Sequence, residues 1–388
     1  MNGPQRSPAA LRWHRLQHLA GASLLTCGVL LTCGAMLACA PSFSDAFERE
    51  RAAAIRTYAA GRYVEAAQHW EQVAKEAPSS RHRYEALYRA AVSYKRGKRP
   101  SEARALYTRI LKEAPETSRA PRAAYDLADI DIEGGQDAAG FKAMEQVLER
   151  YPNASTGPSA LHRYLVWLED QQGDAAAKAW LEAQIPSHES TELGQYLHYA
   201  YAKLLANMGD KAGAIARYLL VADKYPYPTG ALWDDSLFHA AELEVEVGNP
   251  KGAVKHLRRM LNEREPSSLS GSYERPRYSE SQYKIAILLR DALNQPEQAI
   301  REFERLRKDF TTSILRDDAA WQEAKLRLSR GDRSGACSTM RWLRDEIPDS
   351  RYAACGQLLC GELKPLKREC RDYIRRELVP DPAELEAP

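Results

Sequence analysis

The chain has 388 residues, 44% of them hydrophobic, which is enough for two or three ordinary domains or for one long solenoid with a substantial core. Lys and Arg number 55 against 53 Asp and Glu, so the formal charge of +2 gives no electrostatic indication of nucleic-acid binding. The 22 Gly and 21 Pro are near ordinary usage, which excludes a collagen-like or low-complexity chain.

The N-terminus has the three-part pattern of a secretory signal. Residues 1–18 carry three Arg and no acid, and residues 19–38 form an uncharged run. The following Met36-Leu37-Ala38-Cys39 resembles a bacterial lipobox. That resemblance implies removal of residues 1–38 and acylation of Cys39, for example with palmitate, and the following Ala40 implies sorting to the periplasmic face of the outer membrane. A retained membrane-spanning anchor and ordinary cleavage at Ala38-Cys39-Ala40 are the alternatives.

The rest of the chain repeats with a spacing of 37 residues between the closing prolines Pro78, Pro115 and Pro152. Each segment has a Gly or polar turn, then a small residue, an aromatic or Met residue four positions later and an aliphatic residue three further on. The pattern resembles the tetratricopeptide repeat, a 34-residue helix-turn-helix unit. This resemblance implies an all-α, right-handed solenoid whose small residues allow close helix approach. In the first unit these positions are Gly61, Ala66, Trp70 and Val73.

The repeat frame predicts the organisation of the whole chain. Residues 39–46 form a short tether, residues 47–190 a first subarray and residues 191–350 a second. Capping helices are expected at 351–378 and a flexible acidic tail at 379–388. The seven clear units are 47–80, 84–117, 121–154, 195–228, 234–267, 280–313 and 317–350, and a degenerate eighth lies at 158–187 with a second helix that is short before Pro186.

In tetratricopeptide-repeat proteins the first helix of each unit directs its second, fifth, ninth, twelfth and thirteenth positions into an inner groove. Carried over by this resemblance, the fifth position predicts a concave partner-binding face that holds an extended segment or a helix. The alternative is that these rings pack between adjacent units. Arg51 and Lys284 interrupt the row, and no Lys and Asn pair of the carboxylate-clamp type occurs. The five aromatic residues are Tyr88, Tyr125, Tyr199, Phe238 and Trp321.

Four cysteines remain near the C-terminus after the signal and the lipid site are set aside. They favour one or two disulfides that staple the cap in an oxidising periplasm, with three pairings open. A metal site is not expected because no tight C-x2-C spacing occurs, and four buried free thiols are the alternative. The cysteines are Cys337, Cys355, Cys360 and Cys370.

Catalytic motifs are missing from the sequence. It has no HExxH, GxSxG, GxGxxG or GKS/GKT pattern, and the 38 residues after residue 350 are too few for an appended catalytic domain. We therefore expect no enzyme activity, no cofactor and no small-molecule substrate. The loop from Pro266 to Ser279 is longer than a repeat junction needs, which is typical either of a contact loop or of tolerated surface chain.

These observations predict a scaffold that binds envelope proteins and is held to the membrane by its lipid anchor, with no nucleic-acid partner. Lipoproteins of similar type serve outer-membrane protein assembly, the Tol-Pal system in cell division, secretin and pilus assembly, and gliding motility. The repeats do not choose among these processes. The alternative is a periplasmic module that binds peptidoglycan or another glycan in its Tyr-rich groove.

Overall fold

The computed structural model describes residues 43–263 and 276–378, and their regular structure is entirely helical. Sixteen helices form eight consecutive hairpins, so the predicted all-α, tetratricopeptide-type fold is confirmed. The helices are α1 (Asp45–Ala59), α2 (Tyr63–Lys75), α3 (Ser80–Arg96), α4 (Pro100–Glu113), α5 (Ala120–Glu133), α6 (Asp137–Arg150), α7 (Gly157–Gln172), α8 (Asp174–His188), α9 (Glu192–Asn207), α10 (Lys211–Lys224), α11 (Trp233–Glu246), α12 (Pro250–Glu263), α13 (Pro276–Asp291), α14 (Pro296–Asp309), α15 (Arg316–Ser329) and α16 (Arg333–Glu346).

The chain divides into two compact units, residues 1–123 and residues 124–388. The described part of the first unit holds hairpins 1 and 2. That of the second holds hairpins 3 to 8 and the C-terminal cap, with α5 beginning just before the boundary. The predicted boundary between two subarrays near residue 190 stays a prediction. No helix among the described residues is long and apolar enough to span a membrane.

Each hairpin turns at one residue with positive φ, a backbone conformation that favours glycine. In six hairpins the next amide donates to the carbonyl oxygen five residues earlier, as Arg62 does to Thr57, which closes the first helix and reverses the chain. Gly173 alone connects α7 to α8. The eight residues are Gly61, Lys98, Gly135, Gly173, Gly209, Gly248, Asn294 and Gly331.

Small residues mark the place where the two helices of a hairpin cross. The helices of hairpin 3 approach closely at Gly140, where an added Cβ would lie 2.5 Å from Ile132 Cγ1 and 2.8 Å from the Ala128 carbonyl oxygen. Four positions later a large apolar residue fills the core. The small residues are Ala66, Ala103, Gly140, Ala177, Ala214, Ala253, Ala299 and Ala336, and the large ones are Trp70, Tyr107, Met144, Leu181, Tyr218, Leu257, Phe303 and Met340, all buried.

Two segments differ from the sequence-based expectation. Helix α8 continues through Pro186 to His188, so this proline does not end the second helix of hairpin 4 as the sequence pattern predicts. The cap contains only a 3-10 turn (Ala353–Cys355) and two short helices, α17 (Gly356–Leu359) and α18 (Asp372–Arg376). Irregular chain with Gly361 and Pro365 separates these two helices, since neither residue favours a helix interior.

Several predicted features lie outside the described residues. They are the signal and Cys39 with the tether up to residue 42, the tail at 379–388, and residues 266–275 of the long loop. The last residues of that predicted loop, 276–279, form the first turn of α13.

Candidate functional site

Three of the five aromatic residues predicted to line the groove are covered by an arginine from the beginning of the following hairpin. The guanidinium carbon lies 5.1 Å from the ring centroid for Arg119 over Tyr88, 5.9 Å for Arg163 over Tyr125 and 4.4 Å for Arg277 over Phe238. Such contacts contribute on the order of 0.5 to 2 kcal/mol each. The rings of Tyr125 and Phe238 therefore hold consecutive hairpins together, and the ring of Tyr88 contacts the segment before α5.

Each of these arginines also binds a carboxylate on the helix that carries the ring. Arg277 Nε donates to Asp235 Oδ1 at 2.9 Å, and the equivalent acceptors are Glu85 for Arg119 and Asp129 for Arg163. We call this arrangement of ring, acid and arginine the clasp. In hairpins 3 and 6 the clasp lies between consecutive first helices.

The remaining two rings have other neighbours. Tyr352 of the cap stacks on Trp321 at 5.0 Å between centroids and an interplanar angle of 13°. Tyr199 is partly buried and meets Tyr218 edge-on at 5.3 Å. Phe238 and Trp321 are 1% and 0% exposed, so in this structure they offer no surface to a partner and pack as the alternative interpretation expects. Tyr88 and Tyr199 keep partial exposure and line grooves.

A groove opens between α1 and α3, where hairpin 1 has Arg51 instead of a ring at the fifth position and so has no clasp. We call it the first groove. It comprises two neighbouring cavities of about 460 and 340 Å³. Trp70 of α2 lines both cavities. The lining side chains from α1 include Phe47, Arg51, Ile55 and Tyr58, and those from α3 include Glu85, Tyr88, Arg89 and Val92.

Two arginines share one carboxylate in the first groove. Arg89 Nε donates to Glu85 Oε1 at 2.6 Å, and Arg119 Nε donates to the other oxygen of the same carboxylate. Burial alone would raise the pKa of Glu85, but the hydrogen bonds from Arg119 and Arg89 lower it by more. The pKa of Glu85 is therefore below its ordinary value. These three side chains keep one positive charge in surplus.

Apolar surface accompanies this charge. Ile55 is 48% exposed and Phe43, at the start of the groove, is 37% exposed. The Arg89 guanidinium lies over the Trp70 ring at 5.2 Å from its centroid. The first groove therefore offers apolar contacts beside a positive charge, which suits an apolar segment that carries a carboxylate.

A second groove lies between α7 and α9, and here hairpin 4 has His162 at the fifth position. Its cavity of about 270 Å³ is mainly aliphatic. Val166 is 51% exposed, and Tyr196 and Tyr199 line the opposite wall. Burial, followed by the nearby Asp174 carboxylate, raises the pKa of Glu169 in this groove, and burial raises the pKa of Tyr199 to about 12.

The four C-terminal cysteines form two disulfides, Cys337–Cys360 and Cys355–Cys370. These bonds fix the cap over hairpin 8, where Glu377 accepts hydrogen bonds from Trp321 Nε1 at 3.4 Å and Lys325 Nζ at 3.0 Å. Among the described residues, Cys337, Cys360 and Glu362 bring three metal-type donor atoms within 4.8 Å, but the two sulfur atoms are bonded to each other.

Sequence reasoning treated Arg51 as an interruption of the aromatic row and therefore missed the first groove. The sequence signal that could have indicated the groove is the absence of an aromatic residue at position 51. In the structure, residues at inward positions of α1 and α3 lie around one cavity system; they are Arg51, Ile55, Tyr58, Glu85 and Tyr88. Their role in partner binding stays a prediction.

Comparisons with known proteins agree with this architecture. Residues 57–120 match one model described as tetratricopeptide repeat, and residues 122–154 and 280–313 match another. The chain therefore contains tetratricopeptide repeats. No curated protein matches it.

Solved structures of similar fold share little sequence with the chain. A tetratricopeptide repeat protein from Parabacteroides merdae is 14% identical over 71% of this chain and 98% of its own, with a TM-score of 0.33. PilW, described as a widely conserved type IV pilus biogenesis factor, is 14% identical over 61% of this chain and 97% of its own, with a TM-score of 0.36. The human IFIT1 dimer with PPP-AAAA is 15% identical over 78% and 79%, with a TM-score of 0.38.

Proposed function

We propose that the chain is a non-enzymatic protein-protein interaction scaffold, tethered through acylated Cys39 to the periplasmic face of the bacterial outer membrane. Its tetratricopeptide repeats support the scaffold role, and the lipobox-like Met36-Leu37-Ala38-Cys39 supports the tether. It would serve an envelope complex for outer-membrane protein assembly, Tol-Pal-associated division, secretin or pilus assembly, or gliding motility.

The observation that carries this proposal is the open first groove. A partner helix or extended segment would place apolar side chains against Ile55 and Trp70 and a carboxylate near Arg89 and Arg119. Burying exposed apolar area on both sides would provide most of the affinity, at roughly 25 cal/mol per Å² before the costs of association. The contact between the partner's carboxylate and these two arginines would set the register and orientation of the segment.

A binding role fits the groove better than catalysis. Its one lining carboxylate, Glu85, already accepts hydrogen bonds from Arg89 and Arg119, which lower its pKa and keep it ionised. A general acid needs a raised pKa and a free path to the substrate. Glu85 has neither.

Site-specific photo-cross-linking in intact cells tests the proposal. A photo-reactive residue at Ile55 should give an adduct with a defined envelope protein, and Arg89→Ala should reduce its yield several-fold. The matched control is the same probe at Gln68, an exposed residue of α2 outside the groove lining. Equal adducts at both positions, or none at Ile55, would contradict the groove assignment.

The tether is tested separately in the same cells. With Cys39→Ala, acylation at this position is lost, and the protein should leave the outer-membrane fraction while the first groove keeps its structure. Unchanged outer-membrane fractionation of this variant would contradict the lipid anchor without bearing on the groove.

Glycan binding is the second candidate, and Tyr196 and Tyr199 in the second groove favour it because sugars stack on aromatic faces. Its test is co-sedimentation of the protein with purified sacculi, with Tyr196→Ala and Ile55→Ala compared. Retention that depends on Tyr196 but not on Ile55, together with no protein adduct at Ile55, would replace the scaffold by a glycan-binding module.

A further inference from the structure

The two disulfides of the cap differ in how accessible their cysteines are. Both residues of Cys337–Cys360 are buried, and so is Cys355, whereas Cys370 is partly exposed. Cys370 also lies in irregular chain between α17 and α18. A disulfide is reduced by a thiolate that reaches one of its two sulfur atoms, so access decides which bond reacts first. In this protein the accessible atom is Cys370 Sγ.

The two bonds also fix different parts of the cap, whose last part, residues 361–378, we call the strap. Cys337–Cys360 ties the residue that precedes the strap to α16. Cys355–Cys370 ties the middle of the strap to the 3-10 turn. Of the two bonds, the second alone therefore restrains the strap beyond its start.

The end of the strap lies against α15, the first helix of hairpin 8. Ile374 is buried in the same apolar cluster as Trp321. Glu377 accepts hydrogen bonds from Trp321 Nε1 at 3.4 Å and from Lys325 Nζ at 3.0 Å. Trp321 holds the fifth position, which in hairpins 3 and 6 is covered by an arginine of the next hairpin. In hairpin 8 the strap and Tyr352 cover this position instead.

Few other contacts hold the strap in place. Ile374 is its one buried residue. Exposed ion pairs contribute little to stability, and segments with few buried contacts open locally at low cost. The Cys355–Cys370 bond is therefore its main restraint. The polar contacts of the strap with the rest of the protein include Glu362 with Arg341, the Lys364 carbonyl oxygen with Arg344, Arg368 with the carbonyl oxygens of residues 348–350, and Glu377 with Lys325.

We propose that Cys370 is a site of thiol–disulfide exchange, at which a dithiol reduces Cys355–Cys370 and releases the strap from α15. Cys337–Cys360 stays closed in this reaction because both of its residues are buried. Reduction would thus uncover part of the fifth position of the last hairpin without unfolding the hairpin.

The exchange has two steps. A thiolate of the dithiol bonds to Cys370 Sγ as the Cys355–Cys370 bond breaks, and the electron pair of the broken bond goes to Cys355 Sγ, which takes up a proton. The second thiol then loses its proton and attacks the sulfur atom bonded to Cys370, so that Cys370 leaves and takes up a proton. The dithiol is oxidised to a disulfide while Cys355 and Cys370 are reduced to thiols.

Partial reduction of the full-length protein in non-ionic detergent tests the exchange site. After brief treatment with dithiothreitol, free thiols are alkylated and located by mass spectrometry. Cys355 and Cys370 should be alkylated about tenfold faster than Cys337 and Cys360. Glutathione, a monothiol, should form its mixed disulfide on Cys370 and not on Cys355. Equal reduction of the two bonds, or glutathione on Cys355, would overturn the assignment.

Hydrogen exchange of residues 371–378 tests release of the strap. In the variant with Cys355→Ala and Cys370→Ala, the hydrogen-bonded amides in this range should exchange about tenfold faster. The matched control, Cys337→Ala with Cys360→Ala, keeps the middle of the strap tied and should change them little. Circular dichroism checks that the hairpins of both variants are intact. Unchanged exchange in the first variant, or an equal rise in both, overturns the release. Neither result depends on adduct formation at Ile55, so the scaffold proposal stands or fails separately.

Discussion

Hairpins 2, 3 and 6 are clasped to the chain that follows them, whereas hairpins 1 and 4 are open. In the clasped hairpins the fifth position of the first helix carries Tyr88, Tyr125 or Phe238, and an arginine from the following segment covers the ring. In the open hairpins that position carries Arg51 or His162, and a cavity lies in front of it.

The same position of the repeat therefore has two uses. A ring there provides an apolar face and a π surface that the next hairpin covers, which stabilises stacking. In hairpins 1 and 4, which have no ring there, the space stays open and the neighbouring apolar side chains Ile55 and Val166 remain exposed. Candidate binding surfaces thus occur where the repeat pattern is broken, as expected when function departs from the most stable local choice.

Removing a clasped ring should have the largest effect. Phe238→Ala deletes a ring that is 1% exposed, and the resulting cavity should lower the free energy of unfolding by about 3 to 5 kcal/mol. The matched change in an open hairpin, His162→Ala, should cost less than about 0.5 kcal/mol because that side chain is exposed. Native-state hydrogen exchange of α11 and α13 compared with α7 and α9 measures both. Similar losses of unfolding free energy at the two positions would show that the clasp does not stabilise the stacked hairpins.

In hairpin 8 Tyr352 of the cap, rather than an arginine, covers the ring of Trp321. Opening a disulfide of the cap should have the next largest effect on stability. Replacing Cys355 and Cys370 by Ala opens the disulfide that fixes Tyr352 near Trp321, and typical losses are about 2 to 4 kcal/mol. Amide exchange in α15 and α16 should accelerate, while exchange in hairpins 1 and 2 should not change. A reducing agent opens both disulfides of the wild-type protein, so it should accelerate exchange in the same helices at least as much.

The sequence predicts the repeat frame well because turn, small residue and large apolar residue recur at fixed local offsets, as in Gly61, Ala66 and Trp70. It does not distinguish a groove ring from a stacking ring. That distinction depends on an arginine 31 residues away for Tyr88 and 39 residues away for Phe238, so it is a contact between repeats. The cap was equally hard to predict because its disulfides, rather than a helical pattern, determine its path.

Removing the negative charge of Glu85 in the first groove should have a smaller and pH-dependent effect on stability. Glu85→Gln removes a carboxylate bonded to two partly exposed arginines and should cost about 1 kcal/mol near pH 7, because solvent screens these pairs. The pKa of Glu85 is lowered in the folded state, so its contribution is present above the unfolded pKa of about 4.3 and is lost as the pH falls through the folded value. Urea unfolding at a series of pH values from 7 downwards should therefore show a difference between variant and wild type that shrinks as the pH falls below the unfolded pKa. A difference of constant size over the whole series would assign the effect to packing.

Closing the open hairpin 1 should change the stability only slightly. Arg51→Tyr places a ring at the fifth position of hairpin 1, where His82 follows at the same 31-residue offset that separates Arg119 from Tyr88. We expect a change of less than about 1 kcal/mol in the free energy of unfolding, because new ring contacts offset the lost pairing with Glu48, which is exposed.

The same substitution should have a large effect on binding, because the ring fills the first groove beside Ile55. Adduct formation from a photo-reactive residue at Ile55 should fall several-fold, whereas Arg51→Ala, which removes the charge without filling the space, should leave most of it. If Arg51→Tyr and Arg51→Ala reduced the yield equally, the groove would act through the Arg51 charge and not through its open volume. If neither reduced it, the partner would approach Ile55 from outside the groove.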